Sequence, residues 1–508
     1  MAAILNPRLR RVVLVLLLVA AIAWSLMPHK GGKGGAALAV SAVAPDLLHM
    51  GTLTLEPCDI GKRGMGMPTL RAYCTGMDVP ENHAVAAGRR IRLRIAVVRA
   101  AAARADADLV VFLDGGPGGA ATEDYPSIAG AFEPLRKQRA VLLVDQRGTG
   151  GSNALDCGED DSASMARAVN GLRSCVVRLA PRAAPQFYAT SDAVEDLEAV
   201  RRALGSPQLD LVGVSYGTRM AQQYARRHPA AVRAIVLDSS VPNALALGSE
   251  HARNLEAVLR ELFARCRAES ACAQRYGDPY QTLQRLQARL RSHPQQLTLR
   301  DPYSVRVEHQ TIDAGALAQL VRLYAYSPLT AALLPYVLQE ADAGHYEPLL
   351  GQAQVVVGDV ADSLTGGMAL SVICAEDADR LRPDSADLGT VMGNGLTEWL
   401  LAACPAWPHG ARRADFGVPL TGTLPVLVLA GEHDPVTPAR YGQEIVRTLP
   451  RARLLQLGGQ GHGLLSVGCV PRLLDEFLRT LDAQHLDVRC LDVLAQTPFF
   501  SDANGSNP

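Results

Sequence analysis

The sequence has almost no net charge: 50 Lys and Arg stand against 51 Asp and Glu, a formal balance of −1 at pH 7. So balanced a chain has no long-range field to gather polyanions, and beyond the extreme N-terminus it carries no dense Lys/Arg run, which excludes nucleic acid as an expected partner. It also lacks any CxxC pair or HExxH stretch, so no sequence signal points to a thiol redox centre or a metal site. No repeat of fixed period is present, which argues against a solenoid or a propeller.

Against those absences stand length and apolar content. At 508 residues, 48% hydrophobic and 20% charged, the chain exceeds one ordinary core and suits a globular catalytic unit with an inserted or appended second part. The N-terminus reads differently. Arg8, Arg10 and Arg11 precede an apolar run that opens at Val12 and closes at Met27, and a loose Gly/Lys stretch follows. That is the pattern of an export signal. The run is shorter than the ~20 residues that span a bilayer comfortably. Small residues at Ala21, Ala23, Ala37 and Ala39 leave both a removed signal peptide and a retained membrane anchor open. Either way the chain is expected outside the cytoplasm, secreted or periplasmic.

The ten cysteines fall into five couples close in sequence: Cys58 and Cys74, Cys157 and Cys175, Cys266 and Cys272, Cys374 and Cys404, Cys469 and Cys490. Nearest-neighbour pairing would give five local disulfides in an oxidising compartment, but sequence alone leaves the connectivity open, and buried free thiols are the alternative.

Residues 91–97 alternate apolar and polar, as in a strand with one solvated face. Residues 109–113, 140–144, 209–214, 234–237 and 425–430 are instead short continuous apolar runs, the mark of parallel strands covered on both faces. Residues 192–204 show helical spacing, with Ser191 or Asp192 as N-cap and Gly205 as the stop. Strand alternating with helix predicts an α/β fold with a mostly parallel central sheet. The alternation ceases after Pro242 and resumes near Pro425. Helices predicted at 250–265, 279–291, 312–324 and 329–341 make the intervening stretch an inserted, mainly helical cap. The expected organisation is an N-terminal segment with spacer at 1–40, a first core part at 41–242, the cap at 243–415, and a second core part with a C-terminal extension at 416–508.

The strongest local signal is Gly213-Val214-Ser215-Tyr216-Gly217, between the run 209–214 and a helix-like stretch over 218–227. A sharp strand-to-helix turn of this kind lifts a serine hydroxyl above the sheet, and the glycines remove side chains that would collide. The bland reading is a small-residue turn that packs a helix on a sheet, and the flanking pattern favours the nucleophile. A serine needs a base and an acid to orient that base. Asp434 follows the strand 425–430, and His462 stands in Gly458-Gly459-Gln460-Gly461-His462-Gly463, so all three arrive in the order Ser, Asp, His that this fold uses. Asp238 and His433 are the competing acid and base. The developing oxyanion needs donors: the backbone N–H of Tyr216, and that of Gly116 in Asp114-Gly115-Gly116-Pro117-Gly118-Gly119, which lacks the GK[ST] ending of a phosphate loop.

Together these motifs resemble the proline iminopeptidase and tripeptidyl aminopeptidase family of α/β-hydrolase serine peptidases. The likeness rests on Gly115-Gly116-Pro117-Gly118, Asp145-Gln146-Arg147-Gly148-Thr149-Gly150-Gly151-Ser152, the elbow through Thr218-Arg219, Asp434-Pro435-Val436-Thr437-Pro438 and Gly461-His462-Gly463. It implies an α/β-hydrolase fold and cofactor-free release of an N-terminal residue or short peptide through an acyl-enzyme on Ser215. The substrate would be a peptide with a free N-terminus, its ammonium held by an acidic cap residue such as Glu376 in Val372-Ile373-Cys374-Ala375-Glu376-Asp377. Asp114 departs from the family, whose proline iminopeptidases usually carry histidine there. The alternatives are a carboxylesterase or lipase with the same triad, and a non-catalytic binding protein of this fold. A retained apolar segment from Val12 to Met27 would add membrane association, and the sequence gives no oligomeric state.

Overall fold

The computed structural model describes residues 46–62, 68–85, 87–102, 108–158, 165–300, 306–351 and 365–506. The expected export signal lies outside them. Among the described residues no helix is long and apolar enough to cross a membrane.

Ten strands form one sheet in the order β1-β2-β3-β4-β6-β5-β7-β8-β11-β12. They are β1 (Leu48–Met50), β2 (Leu53–Ile60), β3 (Leu70–Pro80), β4 (Arg90–Val98), β5 (Leu109–Leu113), β6 (Val141–Val144), β7 (Leu209–Val214), β8 (Val232–Asp238), β11 (Val426–Gly431) and β12 (Ala452–Leu457). Pairing is antiparallel from β1 to β6 and parallel from β6 to β12. The continuous apolar runs occupy the middle of this sheet because both faces are covered. Val111, Leu211 and Val428 face one apolar layer, while Phe112, Val212 and Leu427 face the other.

The covering helices include α1 (Ala121–Ile128), α2 (Met165–Leu179), α3 (Thr190–Leu204) and α4 (Tyr216–Arg227). Helix α3 ends where expected, on Gly205 at φ 69°, a left-handed position that suits glycine. It starts earlier than expected, so Ser191 and Asp192 lie in its first turn and the Asp192 carboxylate accepts from the Ala189 N–H at 3.3 Å.

Between β8 and β11 the chain forms α5 (His251–Ala268), α6 (Pro279–Ser292), α7 (Ala314–Tyr324), α8 (Pro328–Asp342), α9 (Gly366–Glu376) and α10 (Gly395–Ala403). A third apolar cluster joins Leu259 and Phe263 of α5, Leu286 of α6, Val321 of α7 and Leu334 of α8. A hairpin of β9 (Gln295–Arg300) and β10 (Val307–Ile312) interrupts them. Ile312 therefore ends a strand rather than opening a helix, and Asp313 caps α7 by accepting from Ala316 N at 2.8 Å. Helices α11 (Ala439–Val446) and α12 (Val470–Thr480) complete the sheet's cover. The ten cysteines pair as nearest neighbours in five disulfides.

Candidate active site

Ser215 stands between β7 and α4 at φ 55°, ψ −122°, a conformation that L-residues adopt only under restraint. The restraints are on either side. Its N–H donates to Asp238 O at 2.9 Å, and its carbonyl accepts from Thr218 N at 2.9 Å and Thr218 Oγ1 at 2.5 Å. Both elbow glycines are dictated by space. A Cβ on Gly213 would come 2.5 Å from Gly217 O, and one on Gly217 would come 2.1 Å from Leu113 O. The turn thus presses β5, β7 and α4 together, which is what exposes the serine at the sheet's carboxyl edge.

Asp434 leaves β11 and is buried. Its Oδ1 accepts from the N–H groups of Val436 and Thr437 at 2.8 Å each, and its Oδ2 from Thr437 Oγ1 at 2.7 Å. His462 leaves the loop after β12, with Nδ1 2.8 Å from Asp434 Oδ2. Burial alone would push the carboxyl up, but the imidazole and these donors hold Asp434 at about 2. Burial likewise disfavours the imidazolium, yet Asp434 and then Asp238 raise His462 above its ordinary value. An Nδ1–H directed at the carboxylate leaves Nε2 free to accept a proton. Among the described residues no hydrogen bond joins Ser215 Oγ to the ring.

The end of β8 holds serine and histidine in one frame. Asp238 O anchors Ser215 N, while its Oδ2 accepts from Leu464 N at 2.6 Å and Leu465 N at 2.9 Å, and Ser239 Oγ accepts from Gly463 N at 2.9 Å. Asp238 therefore ties down the histidine loop rather than acting as the acid. His433 lies elsewhere, near Glu261, Glu432 and Gln496.

The loop after β5 runs against the elbow: a Cβ on Gly115 would sit 3.2 Å from Ser215 Cβ. Gly116, at φ 110°, requires glycine. The Asp114 carboxylate accepts from Gly115 N at 2.7 Å, and burial, opposed in part by hydrogen bonding, raises its pKa. The Asp-Gln-Arg-Gly string braces this corner. Asp145 accepts from Thr122 N at 2.8 Å, Thr122 Oγ1 at 3.0 Å and Gly151 N at 3.0 Å, so it fixes the start of α1. Gln146 donates to the Tyr216 hydroxyl at 3.0 Å. Buried Arg147 forks onto Asp196 of α3 through two 2.6 Å bonds.

Glu376, expected to meet a substrate ammonium, ends α9 fully buried with its oxygens engaged. Oε1 accepts from Thr190 N at 2.6 Å, and Oε2 from Thr190 Oγ1 at 3.0 Å with Arg219 Nη1 at 3.7 Å. Burial pushes it up to about 8 despite Arg219. Thr190 Oγ1 in turn lies 2.6 Å from the Tyr216 hydroxyl. Glu376 thus belongs to a polar network behind the elbow.

The sequence reading missed Thr437 and Tyr326. Thr437 stands within the Asp-Pro-Val-Thr-Pro motif that was singled out. Tyr326 lies in the turn between α7 and α8: its carbonyl accepts from His462 N at 2.8 Å, and its ring meets the imidazole edge-on at 5.1 Å.

An elbow serine at the carboxyl edge of a mostly parallel sheet, with a buried Asp–His pair beside it, defines a serine hydrolase. Residues 108–468 match the model of the alpha/beta hydrolase fold family, and the chain belongs to that family. It is similar to serine protease Hip1 of Mycobacterium tuberculosis strain H37Rv, 25% identical over 409 residues that cover 71% of this chain and 77% of the relative. It is also similar to tripeptidyl aminopeptidase of Streptomyces coelicolor, at 23% over 463 residues and 82% of each chain. A shorter match to proline iminopeptidase of Neisseria gonorrhoeae is 31% identical over 128 residues, 25% of this chain and 31% of that one.

Proposed function

We propose that the chain is an exported aminopeptidase-type serine peptidase, which cleaves peptides near a free N-terminus through an acyl-enzyme on Ser215. The observation that carries this reading is the 2.8 Å bond from His462 to buried Asp434, framed by the same β8 terminus that holds Ser215. The peptidase names of relatives that span most of the chain favour peptide over ester bonds. Five disulfides support an oxidising, extracytoplasmic destination.

In this mechanism His462 Nε2 takes the Ser215 proton as Oγ attacks the carbonyl carbon, and Asp434 fixes the tautomer and stabilises the imidazolium. The N–H groups of Gly116 and Tyr216 receive the oxyanion. The imidazolium then protonates the leaving amine, the C–N bond breaks, and water deacylates the serine by the same route. Residues 243–415 act as the cap that shapes the substrate pocket.

Hydrolysis of aminoacyl and tripeptidyl amides, each free and N-acetylated, together with a short-chain ester, tests the reading. Ser215→Ala is expected to lower kcat by about 10⁴-fold or more while the fold is retained. Amide cleavage that demands a free N-terminus and disappears in this variant supports the aminopeptidase. Cleavage of the ester alone transfers the chain to the esterases.

A further inference from the structure

Arg322, near the end of α7, is half-buried beside the histidine loop. Its Nη2 donates to the Tyr326 hydroxyl at 2.9 Å and its Cζ lies 5.5 Å from that ring's centroid. The same tyrosine packs on the imidazole and accepts from the His462 N–H. A Cβ on Gly461 would come 2.2 Å from Tyr326 O, so cap and histidine loop meet here without slack. Arg322 is therefore in contact with the histidine's own platform.

The Arg322 Nε is buried without a hydrogen-bond partner, and among the described residues the guanidinium forms no ion pair. The Asp434 carboxylate is bonded instead to His462, Val436 and Thr437. His251, whose charge Arg322 also opposes, is pushed down to about 3, first by burial. The guanidinium is held by the Tyr326 hydroxyl and ring, which leaves it donors to spare for an anion.

Chemistry gives the position a direction. The histidine that deprotonates the serine must later protonate the leaving amine, so the leaving part of the substrate lies beside the imidazole. If the N-terminal part is the acyl group, as proposed above, the leaving part is the C-terminal portion, and the one anion it always carries is its carboxylate. A residue extends the chain by about 3.5 Å, so a leaving portion of one or two residues brings that carboxylate close to the cleaved bond. A guanidinium fork matches a carboxylate.

We infer that Arg322 is a specificity-determining residue that binds the C-terminal carboxylate of a short leaving group, directing the enzyme to small peptides. This rests on the aminopeptidase reading for the orientation of the substrate.

The test compares short peptides in matched pairs, identical except for a C-terminal carboxylate or carboxamide, with wild type, Arg322→Gln and Arg322→Lys. Wild type is expected to favour the acid by about tenfold in kcat/KM. Arg322→Gln should lower kcat/KM for the acid far more than for the amide, bringing the ratio of the two close to one, and Arg322→Lys should keep part of the preference. No preference in wild type overturns the inference, as does an equal fall for acid and amide in Arg322→Gln, which would mark a structural role. N-acetylated copies of the pairs separate the two readings. If acetylated substrates are cleaved as well as free ones and the Arg322-dependent preference persists, the aminopeptidase assignment fails and the carboxylate site stands.

Discussion

At the scale of single residues the decisive feature is the opposite displacement of Asp434 and His462. The carboxyl sits at about 2 and the imidazole above its ordinary 6.5, and each is largely the cause of the other's shift. Only the neutral imidazole can take the serine proton. Because the folded pKa is raised, the inactive imidazolium persists to higher pH, so kcat/KM should climb along an acid limb whose midpoint lies above 6.5. In Asp434→Asn the supporting charge is gone while burial remains, and burial favours the neutral ring. The limb should then move to lower pH as kcat falls by about 10³- to 10⁴-fold, since the tautomer is no longer held. A pH profile for both proteins checks this. An unmoved limb would mean that the titration belongs to another group. Glu376 shows the converse at this scale: a carboxylate near a motif invites a ligand-binding role, and only the structure shows it buried and bonded to Thr190 beside Arg219.

Among elements, the elbow is where sequence and packing constrain each other most tightly. Gly217 is required by the backbone of β5, since its substituent would meet Leu113 O at 2.1 Å and Asp114 O at 2.7 Å. Neither carbonyl can swing aside as a side chain would. Gly217→Ala is expected to cost about 3 kcal/mol or more in stability and to displace the loop that carries Gly116. Gly130→Ala, where nothing lies within 4 Å, should be close to neutral, and urea unfolding of the two variants makes the comparison. The same tightness explains what could be read in advance. The strands at 109–113 and 209–214 match the observed β5 and β7 because burial on both faces leaves apolar runs, unbroken in β5 and interrupted in β7 only by Asp210, which Arg233 pairs. The strands β1–β3 towards one edge escaped, since β2 reads Leu-Thr-Leu-Glu-Pro-Cys-Asp-Ile and is exposed at Thr54, Glu56, Pro57 and Asp59. The hairpin β9–β10 escaped for the same reason: its strands lie outside the central sheet and are rich in polar residues. Ser215, Asp434 and His462 were legible because glycines and strand ends mark their turns. Tyr326 was not, for its contact with His462 joins segments more than a hundred residues apart in the chain.

For the whole molecule, the disulfides are local staples. Their separations are 16, 18, 6, 30 and 21 residues, and each joins neighbouring elements: Cys58–Cys74 ties β2 to β3, Cys374–Cys404 ties α9 to the end of α10, and Cys469–Cys490 ties the start of α12 to the chain that follows. Reduction should therefore loosen several places at once rather than separate large units. A crosslink that closes a longer loop removes more freedom from the unfolded chain, so the loop-entropy relation gives about 3 to 4 kcal/mol for Cys374–Cys404 and about 2 kcal/mol for Cys266–Cys272. The former also secures α9, whose last residue Glu376 supports Thr190 and, through it, Tyr216 beside the nucleophile. The Cys374→Ser/Cys404→Ser double variant should thus lose more stability than Cys266→Ser/Cys272→Ser, and should lose kcat as well, while the latter keeps its turnover. Urea midpoints and kcat measured side by side decide it. If the short-loop variant were the more damaged in both, loop closure would not govern these staples and α9 would not be the element that steadies the elbow.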